Sequence, residues 1–322
     1  MSQRKYSDEQ LEVYLKRISY PAAKPGLSLV QIVRQNIEQD ALATLCDLQR
    51  RHLTSIPWGN SALHYSQHHT ISIDPDSLFE KLVERRLDGY CMENTGIFQI
   101  ILRSLGYFVY ATGGRVGHAA ATGVDNGLFT QLSHMALIVM IEGIKYMVSS
   151  VYDAQLQYLN QLVVFTLMTQ TEGALATRIA PSEMRLIKDS LVECTDKSQK
   201  VWIYQVRHNP ESEWLSMTCF YDMEFLPQDF ELMNFATSQK RTSWFTQSFV
   251  CTRMILDAAG EEIIGQYILA GRDIKRRLHG QTEHVQALGK EEDRVKGLAE
   301  FFDMNLRANE IQGIRGMTSE IK

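Results

Sequence analysis

The sequence predicts an α+β chain in three parts: a helical first third, a strand-rich middle and a mixed last third. Two observations carry this. Apolar residues recur at helical spacing up to Gly106, and from Tyr107 onward short β-branched and aromatic runs alternate with glycine or polar turns. At 322 residues the chain also exceeds the size at which a single core usually splits.

The elements follow in order. "LSLVQIVRQNIEQDALATLCDLQRRHLTSI" spaces Leu29, Ile32, Val33, Ile37, Leu42, Leu45 and Leu48 as a helix does, with Ser28 as N-cap. "DSLFEKLVER" repeats the pattern with Asp76 as its cap, and a third helix runs from Cys91 to Leu105, stopped by Gly106. Strands are predicted at "YFVYATGGRV", "MALIVMIEG", "IKYMVSSVY" and "QLVVFTL", with Glu142-Gly143 as a hairpin tip. Further strands fall at "KVWIYQVRH", "FVCTRMIL" and "IIGQYILAG", with a helix around "PQDFELMNFATS". The tail, "EHVQALGKEEDRVKGLAEFFDMNLRANEI", returns to helical spacing.

Composition excludes several function classes. Hydrophobic residues at 44% and charged residues at 22% leave no case for long disorder, and a formal net charge of −5 with dispersed Lys and Arg gives no footprint for nucleic acid. The N-terminus, "MSQRKYSDEQLEVYLKRISY", lacks the apolar core of a secretory signal. The apolar run "MALIVMIEGIKYMVSSVY" is broken by Glu142 and Lys145, so no membrane span is expected. The cysteines at 46, 91, 194, 219 and 251 are odd in number and include no C-x-x-C pair. Neither a metal site nor a disulfide framework is indicated, and a cytoplasmic location is expected.

The chemistry centres on Cys91. A thiolate is the nucleophilic form of cysteine, and both a helix N-terminus and a neighbouring imidazolium favour it. Cys91 opens a helix, and of the nine histidines His134 is the best placed, at the start of the strand "SHMALIVMI". A lone cysteine at a helix start is most often a small buried hydrophobe, so this pairing alone leaves both readings open.

Longer stretches decide between them. "RRLDGYCMENTGIFQIILRSLGYFV" resembles the active-site segment of arylamine N-acetyltransferases. "EVYLKRISYP", "RRHLTSIPWGNSALH", "ATGGRV", "SHMALIVMIEGIKYMV" and "TSWFTQSFVCTR" are similar to further segments of that family in the same order, over about residues 10 to 270. The resemblance implies an N-terminal helical bundle (1–106) carrying Cys91, a central antiparallel β-barrel (107–205) carrying His134 and Ser149, and a C-terminal α/β lid (206–322) with a C-terminal helix. It also implies that an acyl group passes from acyl-CoA, as acetyl-CoA or another thioester, through a Cys91 thioester to a small-molecule aromatic amine or related nucleophile. His134 maps to the base. No metal is implied, and a monomer or homodimer is expected.

The departures from the family pattern are specific. The triad aspartate position is Ser149, which can accept a hydrogen bond but cannot stabilise an imidazolium by charge. Asp153 lies four residues on, roughly 13 Å along an extended strand, too far without a bulge or turn. Tyr152 replaces the phenylalanine that lines the acceptor pocket. The family's buried glutamate–arginine pair is missing from both sides, as Gly59 and Leu87, a double loss that avoids a stranded charge. Asp88 replaces a glycine and is expected to disfavour the thiolate.

Gly59, Leu87, Ser149, Val151 and Tyr152 all map around the pocket. Ser243 and Phe245 match a C-terminal strand that approaches the acyl and coenzyme A groups, and Arg115 matches a structural arginine. The basic stretch "GRDIKRRLHG" (271–280) reads as a solvated face. Three functions are therefore weighed: the acyltransferase, a tailoring enzyme of small-molecule biosynthesis using the same pocket for amide formation, condensation or cyclisation, and a catalytically silent relative.

Overall fold

Local capping chemistry sets where the first helices begin. The computed structural model describes residues 4–22, 25–149, 167–177 and 182–322. Ser7 and Ser28 each accept from the amide three residues on and receive a glutamine in return, opening α1 (Asp8–Arg17) and α2 (Leu29–Gln39). Asp40 ends α2 and caps α3 (Ala41–Ser55), so the single helical stretch read from sequence is two helices. After Pro57 come a two-residue strand, β1 (Trp58–Gly59), and a turn of helix, α4 (Ser61–His64).

Helix α5 (Pro75–Phe79) runs on into a π-helical turn, Glu80–Glu84. Its cap is Asp74 rather than the expected Asp76, because Pro75 occupies the first helical position and Asp74 reaches the Asp76 and Ser77 amides. Helix α6 (Cys91–Leu105) starts and stops as read, with Gly106 at φ 108°. Ile97 and Ile101 on α6 pack into one core with Leu11, Leu15, Leu45 and Leu48 from the earlier helices.

The middle of the chain is one curled sheet. Strand β2 (Phe108–Gly117) leads through α7 (His118–Thr122) to β3 (Phe129–Ile141) and β4 (Ile144–Ser149). The β3–β4 tip is Glu142-Gly143 as expected, with φ 51° and 79°, the double positive φ that matches the strand twist. Then follow β5 (Leu167–Thr169), β6 (Leu175–Thr177), β7 (Glu183–Asp189), β8 (Val201–Arg207) and β9 (Leu215–Phe220).

The eight strands are hydrogen-bonded in the order β5-β4-β3-β2-β9-β8-β7-β6, all antiparallel. Its two ends, β5 and β6, are joined by residues 170–174 alone. A flat sheet of this size would hold its edges about 34 Å apart. The link reaches only about 20 Å, so the sheet must curl toward a barrel. Ile138, Met147, Leu186, Tyr204 and Met217 fill its inner face, while Met135, Leu137 and Val139 of β3 pack against the α6 core. Of the predicted strand 161–167, residues 161–166 lie outside the described residues, and Leu167 begins β5.

The last part holds α8 (Pro227–Gln239), α9 (Trp244–Gln247), β10 (Val250–Leu256), β11 (Ile263–Ala270), β12 (Asp273–Leu278), β13 (Gln281–Ala287), α10 (Glu291–Phe302) and α11 (Ala308–Gln312). A second antiparallel sheet, ordered β1-β10-β11-β12-β13, draws its edge strand from the N-terminal part. Two readings are corrected here. Residues 283–287 are strand, and helix resumes only at Glu291, because β13 pairs along the whole of β12. The basic stretch 271–280 is that β12 strand, with Ile274 and Arg277 buried and Lys275 and Arg276 partly exposed. Among the described residues, no helix is long and apolar enough to cross a membrane.

Candidate active site

Backbone straps fix the approach to Cys91. Gly59 N–H donates to the Gly89 carbonyl at 3.1 Å, and Gly89 N–H donates to the Pro57 carbonyl at 3.2 Å. From the first turn of α6, Asn94 Nδ2 donates to the carbonyls of Pro57 (3.3 Å) and Gly89 (2.5 Å). Gly89 has no room for a side chain, since a Cβ there would lie 2.9 Å from both Glu93 and Leu82. Tyr90 is the N-cap residue, and its amide donates to Glu93 Oε2 at 3.0 Å. Glu93, wholly buried, takes Lys81 Nζ on its other oxygen at 2.6 Å.

Cys91 is therefore the first residue of a firmly held helix. Burial pushes its thiol up to about 12, outweighing the Met92 and Cys91 amides, and Glu93 adds to the rise. Glu93 is the carboxylate that adds to the rise at Cys91, and Asp88 adds to the rise at Cys251.

The partner strand reaches the thiol through a bulge. In β3, His134 stands opposite Gly114 and Leu132 opposite Arg115, which leaves Ser133 as the extra residue. The Ser133 carbonyl accepts from Cys91 Sγ at 3.8 Å, so the thiol lies one residue from His134. Gly114 is required there: a Cβ would fall 2.5 Å from the Cys219 carbonyl oxygen and 3.6 Å from His134 Cδ2. His134 is buried, and burial lowers its imidazole to about 4. At neutral pH the site thus rests as thiol and neutral imidazole.

An aromatic cluster packs on Tyr90, the residue before Cys91. The Phe245 ring lies 5.9 Å from Tyr90, 5.9 Å from Trp58 and 5.3 Å from Trp244. Phe245 and Ser243 belong to α9 and its N-cap rather than to a strand, which begins only at Val250. Asn60 Nδ2 and His64 Nε2 hold the Phe245 carbonyl at 2.8 and 2.9 Å.

Comparison with known proteins shows the family of this chain. The N-acetyltransferase family model matches residues 41–311. N-malonyltransferase FDB2 of Fusarium pseudograminearum is 34% identical, over 96% of this chain and 92% of its own length. The chain belongs to the arylamine N-acetyltransferase family. The solved arylamine N-acetyltransferase of Salmonella typhimurium superposes with TM-score 0.70 at 22% identity, covering 97% of this chain and 98% of that one. That of Mycobacterium marinum in complex with CoA gives 0.69 at 21%, covering 95% and 99%. The fold class is that of the family, and the protein is an acyltransferase-like enzyme.

The remaining sequence-derived positions divide three ways. Leu87 is buried in the C-terminal core with Phe249, Leu269 and Phe302. Ser149 ends β4 opposite Ala136, two residues along β3 from His134; its side chain, with Val151, Tyr152 and Asp153, lies outside the described residues. Arg115 donates to the Thr130 carbonyl at 3.1 Å and to Tyr221 Oη at 3.3 Å, a structural use. Sequence reasoning passed over Asn60, Ser61 and His64, although "WGNSALH" contains all three. Their roles depend on contacts with Phe245 and Asp88, far away in the chain.

Proposed function

We propose that this enzyme transfers an acyl group from acyl-CoA to an aromatic amine through a thioester on Cys91, with His134 as the base. The observation that carries the reading is the placement of the Cys91 thiol at the start of α6, one residue from His134 across the β3 bulge. The resting thiol and neutral imidazole suit a coupled proton transfer. As the sulfur attacks the thioester carbonyl its proton passes to His134. The carbon–sulfur bond to coenzyme A then breaks, and the departing thiolate takes that proton. In the second half the amine nitrogen attacks the Cys91 thioester carbonyl and gives its proton to His134; the carbon–sulfur bond to Cys91 then breaks, and the departing sulfur takes that proton back.

Malonyl is the acyl group we favour. Two relatives named N-malonyltransferase, from Fusarium pseudograminearum and Gibberella moniliformis, are similar over nearly the whole chain. This also favours a tailoring role in small-molecule biosynthesis, with amide formation as the chemistry. The test is intact-mass analysis after incubation with malonyl-CoA and acetyl-CoA. An adduct that is absent in Cys91→Ala supports the mechanism, and acyl transfer to an arylamine that survives Cys91→Ala sinks it.

A further inference from the structure

The buried carboxylate beside the nucleophile loop has no part in the proton transfers above. Asp88 is 0% exposed. Its Oδ2 accepts from the Ser61 amide at 3.1 Å, and its Oδ1 pairs with Ser61 Oγ. The space it fills adjoins residue 59: a Cβ built on Gly59 would stand 2.1 Å from Asp88 Oδ2 and 2.8 Å from the Val250 carbonyl oxygen. Gly59 therefore leaves the room that the carboxylate occupies, and a side chain at 59 would crowd both Asp88 and the Val250 backbone.

Both partners of this contact lead to the site. On one side, Asp88 precedes Gly89, whose backbone is strapped to Pro57 and Gly59, and Gly89 leads through Tyr90 into Cys91. On the other, Ser61 opens α4 next to Asn60, whose side chain donates to the carbonyls of Phe245 and Ser248 and accepts from the Val250 amide. From these contacts we infer that Asp88 is a positioning residue for Cys91: by clasping Ser61 in the space left by Gly59, it fixes the nucleophile loop against the segment that carries Phe245. The clasp works through hydrogen bonds rather than charge, because an amide at 88 can accept from the Ser61 amide with its oxygen and donate to Ser61 Oγ with its nitrogen.

The experiment compares Asp88→Ala, which removes the clasp and leaves residue 59 untouched, with Asp88→Asn, which keeps both hydrogen bonds. Two rates are measured: acylation of Cys91 by malonyl-CoA, and alkylation of each cysteine by iodoacetamide, located by peptide mass. Acylation rests on the function proposed above; alkylation does not, so the two can fail separately.

For Asp88→Ala, a loosened loop should slow acylation by about tenfold to a hundredfold at nearly unchanged KM. The same loosening solvates the thiol, so alkylation of Cys91 should rise severalfold while buried Cys219 stays slow and reports an intact barrel. Asp88→Asn should stay within about threefold of the parent on both rates. The inference is overturned if Asp88→Ala matches the parent in Cys91 alkylation, or if Asp88→Asn is as impaired as Asp88→Ala. If Asp88→Ala fails to fold, Asp88→Asn decides: rates near the parent's support the clasp, and impaired rates overturn it.

Discussion

Cys91 and His134 are held in the forms opposite to an ion pair. Burial raises the thiol to about 12 and lowers the imidazole to about 4, and a helix N-terminus does not overcome it. Alkylation of Cys91 by iodoacetamide should therefore climb about tenfold per pH unit from pH 7 to 10 without levelling. A plateau below pH 8 would show a resting thiolate–imidazolium pair instead. Ser149 offers the complementary test. A carboxylate at 149 would stabilise an imidazolium on His134, so Ser149→Asp should speed alkylation at pH 7 by about tenfold, as an opposite charge nearby shifts a pKa by a unit or more. An unchanged rate would mean that residue 149 does not reach His134.

At the scale of elements, the start of α6 depends on one buried ion pair. Glu93 is wholly buried and bonded to Lys81 and to the Tyr90 amide. Lys81→Met strands that carboxylate and should lower stability by about 3 to 5 kcal/mol in urea unfolding, whereas Lys81→Met/Glu93→Gln should restore most of it. A single variant as stable as the parent would show that Glu93 finds another partner.

The ends of α6 were legible because Cys91 follows a glycine-containing turn and Gly106 supplies the left-handed stop. Ser28 and the Glu142-Gly143 tip were legible for the same local reason. Strand β13 was not, because "EHVQAL" has helical composition and becomes strand only by pairing with β12. The place of Phe245 on α9 was hidden too, since Asn60 and His64 hold its carbonyl from almost the other end of the chain. Gly59, Leu87 and Asp88 could be seen to differ from the family, but their partners could not. Leu87 joins the C-terminal core, and Asp88 fills the space over Gly59.

Across the whole molecule, three buried histidines sit at three different junctions. His52 Nδ1 meets Tyr14 Oη at 2.9 Å and its ring packs on Phe98, tying α1 and α3 to α6. His64 joins Phe245 to Ser319 Oγ, the latter at 2.7 Å, and so ties α4 to α9 and the C-terminal segment. His134 lies in the curled sheet beside the cysteine. Burial lowers them to about 3, about 4 and about 4, below their unfolded value of 6.5.

The sign follows from proton counts. Between about pH 6.5 and 4 the unfolded chain binds protons at these histidines and the folded chain does not, so stability falls as pH falls. Each contributes about 3 kcal/mol or more across that window, a large share of a typical total stability of about 5 to 15 kcal/mol. Asp88 and Glu93, raised by burial, act in the opposite sense, since they bind protons more readily in the folded chain. Three histidines outweigh two carboxylates by count, because each group changes the proton difference between the folded and unfolded chains by at most one. Urea midpoints should therefore drop from pH 7 to 5, and His64→Gln, which keeps a donor for the Phe245 carbonyl, should flatten that slope by about a third or more. A midpoint that stays constant from pH 7 to 5 would mean that these histidines are protonated within the folded enzyme, and the neutral His134 required for proton transfer from Cys91 would be lost with it.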